Sequence, residues 1–167
     1  AELFGHWWYE GPDFLEFLFR KIHYDQKEIR MVTPSEYLAE NPNNQVIQPE
    51  MSSWGDKGYH EVWLNDRNDH VYRHLLKATE RMGDLAEQFS HAEGILRRAL
   101  NQAARELLLA QHSDWTFMMK NGSAADYAQN RFATHISRFM YLYESILSRD
   151  VQERRLTEME DIDRIFQ

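Results

Sequence analysis

Four of the five tryptophans, Trp7, Trp8, Trp54 and Trp63, stand in sequence with no helical period, and the fifth, Trp115, follows Asp114 just beyond a long helical stretch. A bundle core places its indoles on helical stripes, so a set lying off the stripes asks for another use. A flat apolar face edged by an N–H suits a sugar ring, whose C–H face lies on the indole while its hydroxyls reach neighbouring Asp, His and Asn. Packing explains each indole singly, and a carbohydrate platform explains the group.

Other chemistries find less support. His70 and His74 lie four apart on one helical face, but Val71, Tyr72 and Arg73 between them supply no glutamate of the zinc-protease kind. The pair reads as solvated. His23, His91, His112 and His135 are isolated in sequence, and neither a metal nor a cofactor is expected. The chain has no Cys, no Gly-x-Ser-x-Gly turn and no Gly-rich phosphate loop, which removes the usual nucleophile and nucleotide arrangements. Acid–base chemistry by paired carboxylates stays open in a chain with 27 Asp and Glu. Glu2, Glu10, Asp56, Glu61 and Asp114 lie near aromatic residues, and surface or capping duty accounts for each as well.

The bulk properties bound the class. A chain of 167 residues, 43% of them hydrophobic, buries one ordinary core and is short for two, so a single domain over 1–167 is expected. A net charge of -8 repels a phosphate backbone, which excludes nucleic acid as the natural partner. No apolar run approaches the roughly 20 residues that span a bilayer, so no membrane partner is expected and the chain reads as cytoplasmic. Absent cysteines suit a reducing compartment.

The elements that must position these residues fall into two stretches: an irregular, Trp-rich part over 1–66 and a helical bundle over 67–167. Pro12 and Asp13 open a helix with Phe14, Leu15, Phe17, Leu18 and Ile22 on its apolar face, ending near His23. Residues 28–33 have the composition of a short strand, and Thr33 with Glu36 has capping-box spacing ahead of a brief helix through Leu38. Residues 41–65 carry turn formers at nearly every third position and read as one long structured loop, a feature more often functional than not. Beyond it, Val71, Leu75, Ala78, Met82, Leu85 and Phe89 alternate spacings of four and three, the seam of a bundle helix. Leu96, Ala99, Ala103, Leu107 and Ala110 mark a second helix over about 92–111. A short helical turn over 113–120 is stopped by Asn121 and Gly122. A third long helix starts at Ser123, capped with Asp126, and buries Phe132, Ile136, Phe139, Met140, Tyr143 and Leu147. Thr157 and Glu160 suggest a last short one. The fold class is therefore mainly α: three long helices in an antiparallel bundle, with short helices added, because tight connections force neighbours to reverse.

Three stretches carry a resemblance. AELFGHWWYEGP at 1–12, SSWGDKGYHEVWLN at 52–65 and LLLAQHSDWTFM at 107–118 resemble the C-terminal helical region of the glycoside hydrolase family 57 1,4-α-glucan branching enzymes, a region formerly catalogued as a domain of unknown function. Such enzymes are retaining transferases: a Glu nucleophile and an Asp acid/base on a (β/α) barrel cut an α-1,4 bond and rejoin the chain through an α-1,6 bond. The resemblance implies that the acid/base Asp stands just before Ala1 and that the nucleophile belongs to a barrel outside this chain. The 167 residues alone would then hold no catalytic carboxylate. Retaining chemistry needs two carboxyl groups roughly 5–5.5 Å apart across the scissile bond.

The same resemblance implies an α-glucan substrate bound along Trp54 and Trp63, with Asp114 and Trp115 at the cleft and His6 with Trp7 beside the missing acid. It implies a barrel partner, and an apolar N-terminal patch that drives self-association when the barrel is absent. Amylase and 4-α-glucanotransferase activities occur within the same family and stay open. So do two readings of other classes: a free-standing carbohydrate-binding module, and a docking module whose aromatic residues never meet sugar.

Overall fold

The computed structural model describes Phe4 and residues 8–166. The chain resolves into two compact units, Ala1–Glu50 and Met51–Gln167. The sequence pattern divides at 66, whereas the structure divides at 50, because residues 51–68 are hydrogen-bonded onto the helices that follow them. Among the described residues the regular structure is seven α-helices and a 3₁₀ turn, with no strand.

The first unit carries α1 (Gly11–Tyr24) and α2 (Pro34–Glu40). At the start of α1, Phe4, Trp8 and Phe14 form an aromatic triplet with ring centroids 5.2–6.0 Å apart. Gly11 lies so near Phe4 that a Cβ there would sit 2.8 Å from it, so only glycine fits. The strand expected over 28–33 does not form. Gln26 occupies its backbone groups instead, accepting from the Glu28 and Ile29 N–H groups at 2.8 Å and donating to the Ile29 carbonyl at 2.9 Å. The Thr33–Glu36 capping box is present: each side chain takes the other's backbone N–H, and the bonds that the Glu36 carboxylate accepts from the Thr33 N–H and hydroxyl hold it below its usual range. Apart from Gly11, no described residue of this unit is buried.

The second unit is the bundle. Its helices are α3 (Asp69–Gln88), α4 (Gly94–Ala110), α5 (Asp114–Asn121), α6 (Ala125–Ser148) and α7 (Glu153–Ile162). His70 and His74 set their rings edge-on to Phe132, while Arg81 lies over the Tyr143 ring. Position rises together along α3 and α6, so these two helices run parallel. α4 runs the opposite way: its last residue, Ala110, packs with Val71 and Phe132, whereas Ile95 and Leu96 at its start lie with Phe89 and Val151 at the other end. The three long helices therefore run up, down and up, as tight connections require. Ala78, Leu85, Ala99, Ala103, Phe139, Leu142 and Ile146 fill the larger apolar cluster, closed by Leu156 and Met159 of α7. A smaller one gathers Val71, Ala110, Trp115, Met119, Ala128 and Phe132 at the end where α5 attaches.

Two expected caps differ. Ser123 does not cap α6: Ala124 precedes the helix in the left-handed region at φ 56° and no side chain bonds its free N–H groups. The last short helix expected from Thr157 and Glu160 is present as α7, but it begins four residues earlier, so Thr157 is not its cap. Thr157 and Glu160 serve Arg98 instead, at 3.0 and 2.7 Å, and Glu160 with Glu153 holds that guanidinium above its ordinary value.

Candidate functional site: an aromatic floor in the second unit

Residues 51–68 have no α-helix or ladder of their own, only a short 3₁₀ turn, so their backbone groups must be paired one at a time. The Ser53 N–H bonds to the Gly58 carbonyl at 2.9 Å, and the Asp56–Gly58 3₁₀ turn closes between them, with Lys57 and Gly58 both in the left-handed region. A second turn brings the Trp63 and Leu64 N–H groups onto the His60 carbonyl at 2.9 and 3.0 Å. Asn68, fully buried, fastens the segment to α5. Its amide donates to the Val62 carbonyl at 3.2 Å and the Thr116 carbonyl at 3.1 Å, while its oxygen accepts from Asn65 N–H at 2.9 Å. Replacing Asn68 by alanine leaves these buried groups unpaired and is expected to cost about 2 kcal/mol in chemical unfolding.

Lys120 adds a tether from α5, donating to the Glu61 carboxylate, and Arg67 donates to the Lys120 carbonyl at 3.3 Å. The hydrogen bond from Lys120 holds Glu61 below the usual carboxylate range. The tether is thus complete above that range and is lost as pH falls through the lowered value.

These bonds place three aromatic rings side by side. Phe117 of α5 sits between Trp54, with centroids 6.5 Å apart, and Trp63, 6.0 Å apart. Trp54 is 78% exposed, and Trp63 and Phe117 are half-buried. Beside Trp63 a cavity of about 270 Å³ is lined by Tyr72, Leu75, Gln111 and His112, among others. That is just below the ~300–1,000 Å³ of a typical small-molecule site, with an open floor attached. Asp114 lies one helical turn before Phe117 on α5, with its carboxylate 3.4 Å from His112 Nδ1 and both side chains half exposed.

The structure sets Trp54 and Trp63 on either side of Phe117 and puts Asp114 on the helix that carries that third ring. Trp115 is different. It is 9% exposed, its indole N–H donates to the Leu109 carbonyl at 2.8 Å, and its ring packs against His112, Tyr127 and His135. With both faces covered it holds α5 to the bundle. Phe117 escaped the sequence reading. Its signal was its spacing, because residues two apart on a helix face opposite ways, and a buried Trp115 turns Phe117 outward. His6 and Trp7 lie outside the described residues.

A buried polar cluster also went unseen. Donor atoms of Glu106, His135 and Asp163 all lie within 4.8 Å of one another. Arg138 donates to Asp163, and Arg131 lies 3.7 Å from the same carboxylate. Two guanidinium groups already supply the positive charge a metal would bring, so this is an internal ion network. A wider cavity of about 690 Å³ lies in the first unit between the end of α1 and residues 26–31, lined by Phe19, Ile22, His23, Ile29 and Met31, and holds none of the expected site residues.

Comparison with known proteins supplies the family. Residues 74–167 match the family described as 1,4-alpha-glucan branching enzyme, C-terminal. A 1,4-alpha-glucan branching enzyme of Thermococcus kodakarensis is 32% identical over 149 residues, covering 88% of this chain and 22% of the relative. The crystal structure of a GH57-type branching enzyme from Pyrococcus horikoshii matches with TM-score 0.68 and 35% identity, over 99% of this chain and 32% of that one. The alpha-amylase AmyC of Thermotoga maritima matches with TM-score 0.62 and 41% identity, over 99% of this chain and 30% of that one. The chain thus spans between a fifth and a third of the length of these relatives. It belongs to the family of 1,4-alpha-glucan branching enzyme C-terminal regions.

Proposed function

We propose that this chain is the C-terminal, glucan-cleft-forming part of a retaining 1,4-α-glucan branching enzyme, and that Trp54, Phe117 and Trp63 are the surface on which the glucan lies. The catalytic carboxylates belong to a (β/α) barrel elsewhere in the same polypeptide, and the chain alone is inactive. Asp114 and the His112 ring stand where they can meet sugar hydroxyls, and the family resemblance adds His6 and Trp7 as glucan-contacting residues. Trp115 contributes by fixing α5. The enzyme acts in cytoplasmic glycogen synthesis. The observation that carries this reading is the row of three rings, held by a loop that spends its hydrogen bonds on shaping it.

The test is titration of maltoheptaose against the chain, followed by indole fluorescence. Trp54→Ala and Trp63→Ala are each expected to weaken binding about tenfold, the loss of roughly 1.4 kcal/mol of ring contact. An unchanged dissociation constant in the double variant contradicts the reading.

One observation favours a docking role for the first unit. Phe17, Tyr24, Ile29, Met31, Val46 and Ile47 are all exposed, an apolar content that suits contact with another surface. In this reading residues 8–50 dock and residues 51–167 bind glucan.

A further inference from the structure

In the second unit, the Ser53 hydroxyl has its bonding capacity wholly used. A serine hydroxyl offers one donor and two lone pairs. Ser53 Oγ donates to the Tyr59 carbonyl at 2.6 Å and accepts from the Gly55 N–H at 3.0 Å and from the Trp63 indole N–H at 3.1 Å. These bonds join the two ends of the 53–63 segment through one atom. The Trp63 main chain is fixed separately, since the Tyr72 hydroxyl donates to its carbonyl. An indole fastened at its backbone and at its ring nitrogen has a fixed plane.

Gly55 reports how tight this hub is. Its φ is -69°, open to any residue, so backbone freedom does not call for glycine. Space does. A Cβ at 55 would sit 2.4 Å from the Tyr59 carbonyl oxygen, 3.0 Å from Ser53 Oγ and 3.2 Å from Trp63 Nε1. The three atoms it would strike are the hub's own members.

We propose that Ser53 is the positioning residue of the aromatic floor: its hydroxyl sets the plane of Trp63 relative to Phe117 and consumes the indole N–H. The inference rests on the glucan reading above. Its consequence for specificity is that Trp63 meets its ligand through a ring face and has no N–H to offer. The surface therefore selects for the flat C–H side of a pyranose in an α-glucan, and a hydroxyl pattern is read elsewhere.

The experiment uses the whole chain. Ser53→Ala, Ser53→Thr and Gly55→Ala are compared with the unsubstituted protein in two measurements: hydrogen exchange at the Trp63 indole N–H by NMR, and maltoheptaose binding. Ser53→Ala is expected to speed that exchange at least tenfold and to weaken binding about fivefold. Ser53→Thr, which keeps the hydroxyl, is expected to restore both to within twofold. Gly55→Ala is expected to resemble Ser53→Ala. A purely structural serine would shift the melting temperature and leave the threonine variant without special status. Unchanged Trp63 exchange in Ser53→Ala overturns the positioning role whether or not glucan binds. Faster exchange with unchanged maltoheptaose affinity overturns its link to the ligand. Unchanged maltoheptaose affinity on replacing Trp54 and Trp63 in the chain joined to its barrel overturns the glucan reading itself.

Discussion

Replacing Glu106 by alanine is expected to destabilise the second unit by about 3–5 kcal/mol, measured as the loss of unfolding free energy in urea. Glu106 and His135 are fully buried, with Glu106 Oε2 2.7 Å from His135 Nδ1. The other glutamate oxygen accepts from the Gln102 amide at 2.9 Å. Arg131 approaches His135 Nε2 at 3.0 Å, and a guanidinium only donates, so Nε2 accepts and the ring proton sits on Nδ1, aimed at Glu106. Removing the carboxylate leaves that imidazole N–H without an acceptor, worth about 1–3 kcal/mol when buried, and leaves the Gln102 amide only the Met159 carbonyl at 3.5 Å. The emptied volume adds to this. Glutamine at 106 keeps an oxygen for His135 but turns an amide N–H₂ toward Gln102, whose own oxygen is taken by Arg105 at 3.0 Å. Glu106→Gln is therefore expected to cost less than alanine and more than nothing. A loss below about 1 kcal/mol for alanine contradicts the assigned network.

The helices were legible where one physical signal dominates. The seam from Val71 to Phe89 predicts α3 within two residues, because an apolar residue every three or four positions has no other way to be buried at once. Gly122 stops α5 as expected, at φ 76°, where glycine has no Cβ to clash. What failed was what depends on a partner distant in sequence. Residues 28–33 have strand composition, but a strand needs a ladder, and Gln26 captures the same groups locally. Thr157 and Glu160 have the spacing of a cap, yet Arg98 is 59 and 62 residues away and recruits both.

The site divides along the same line. The tryptophans outside the helical period were visible as a class, and two of them, Trp54 and Trp63, do gather on one surface. Trp115 misled because it stands at a helix boundary, where sequence does not say which way the ring turns. Burial resolves it inward and Phe117 outward. Glu106 was hidden by its neighbours: three residues after Ala103 and four before Ala110, it sits on the apolar stripe of α4. A carboxylate at a seam position is itself the signal, since burying one without partners is too costly to persist. Its distant partner, His135, lies on α6, beside the arginines that bond His135 and Asp163, and only the folded bundle reveals them.

Residues 1–50, expressed without the rest, are expected to show no cooperative thermal transition, whereas residues 51–167 are expected to keep one. Ordering a backbone costs about 1–2 kcal/mol per residue, to be offset by surface removed from water. In the first unit the only described residue out of water is Gly11, which has no side chain to bury. The Phe4, Trp8 and Phe14 triplet and the capping box of α2 are worth on the order of a kilocalorie each. A helix of 14 residues such as α1 is marginal in water by itself. The second unit has two apolar clusters, with Leu85, Ala99, Phe139, Leu142, Ile146 and Leu156 wholly inside. Circular dichroism on the two pieces separates the cases: a sigmoidal melt for 1–50 contradicts the argument, and so does its absence for 51–167. The asymmetry bears on function. On the docking reading proposed above, a unit unable to bury its own Phe17, Ile29 and Met31 would take its final shape against another surface. The bundle needs no such help, and on the glucan reading proposed above it presents Trp54, Phe117 and Trp63 in a geometry fixed before a ligand binds.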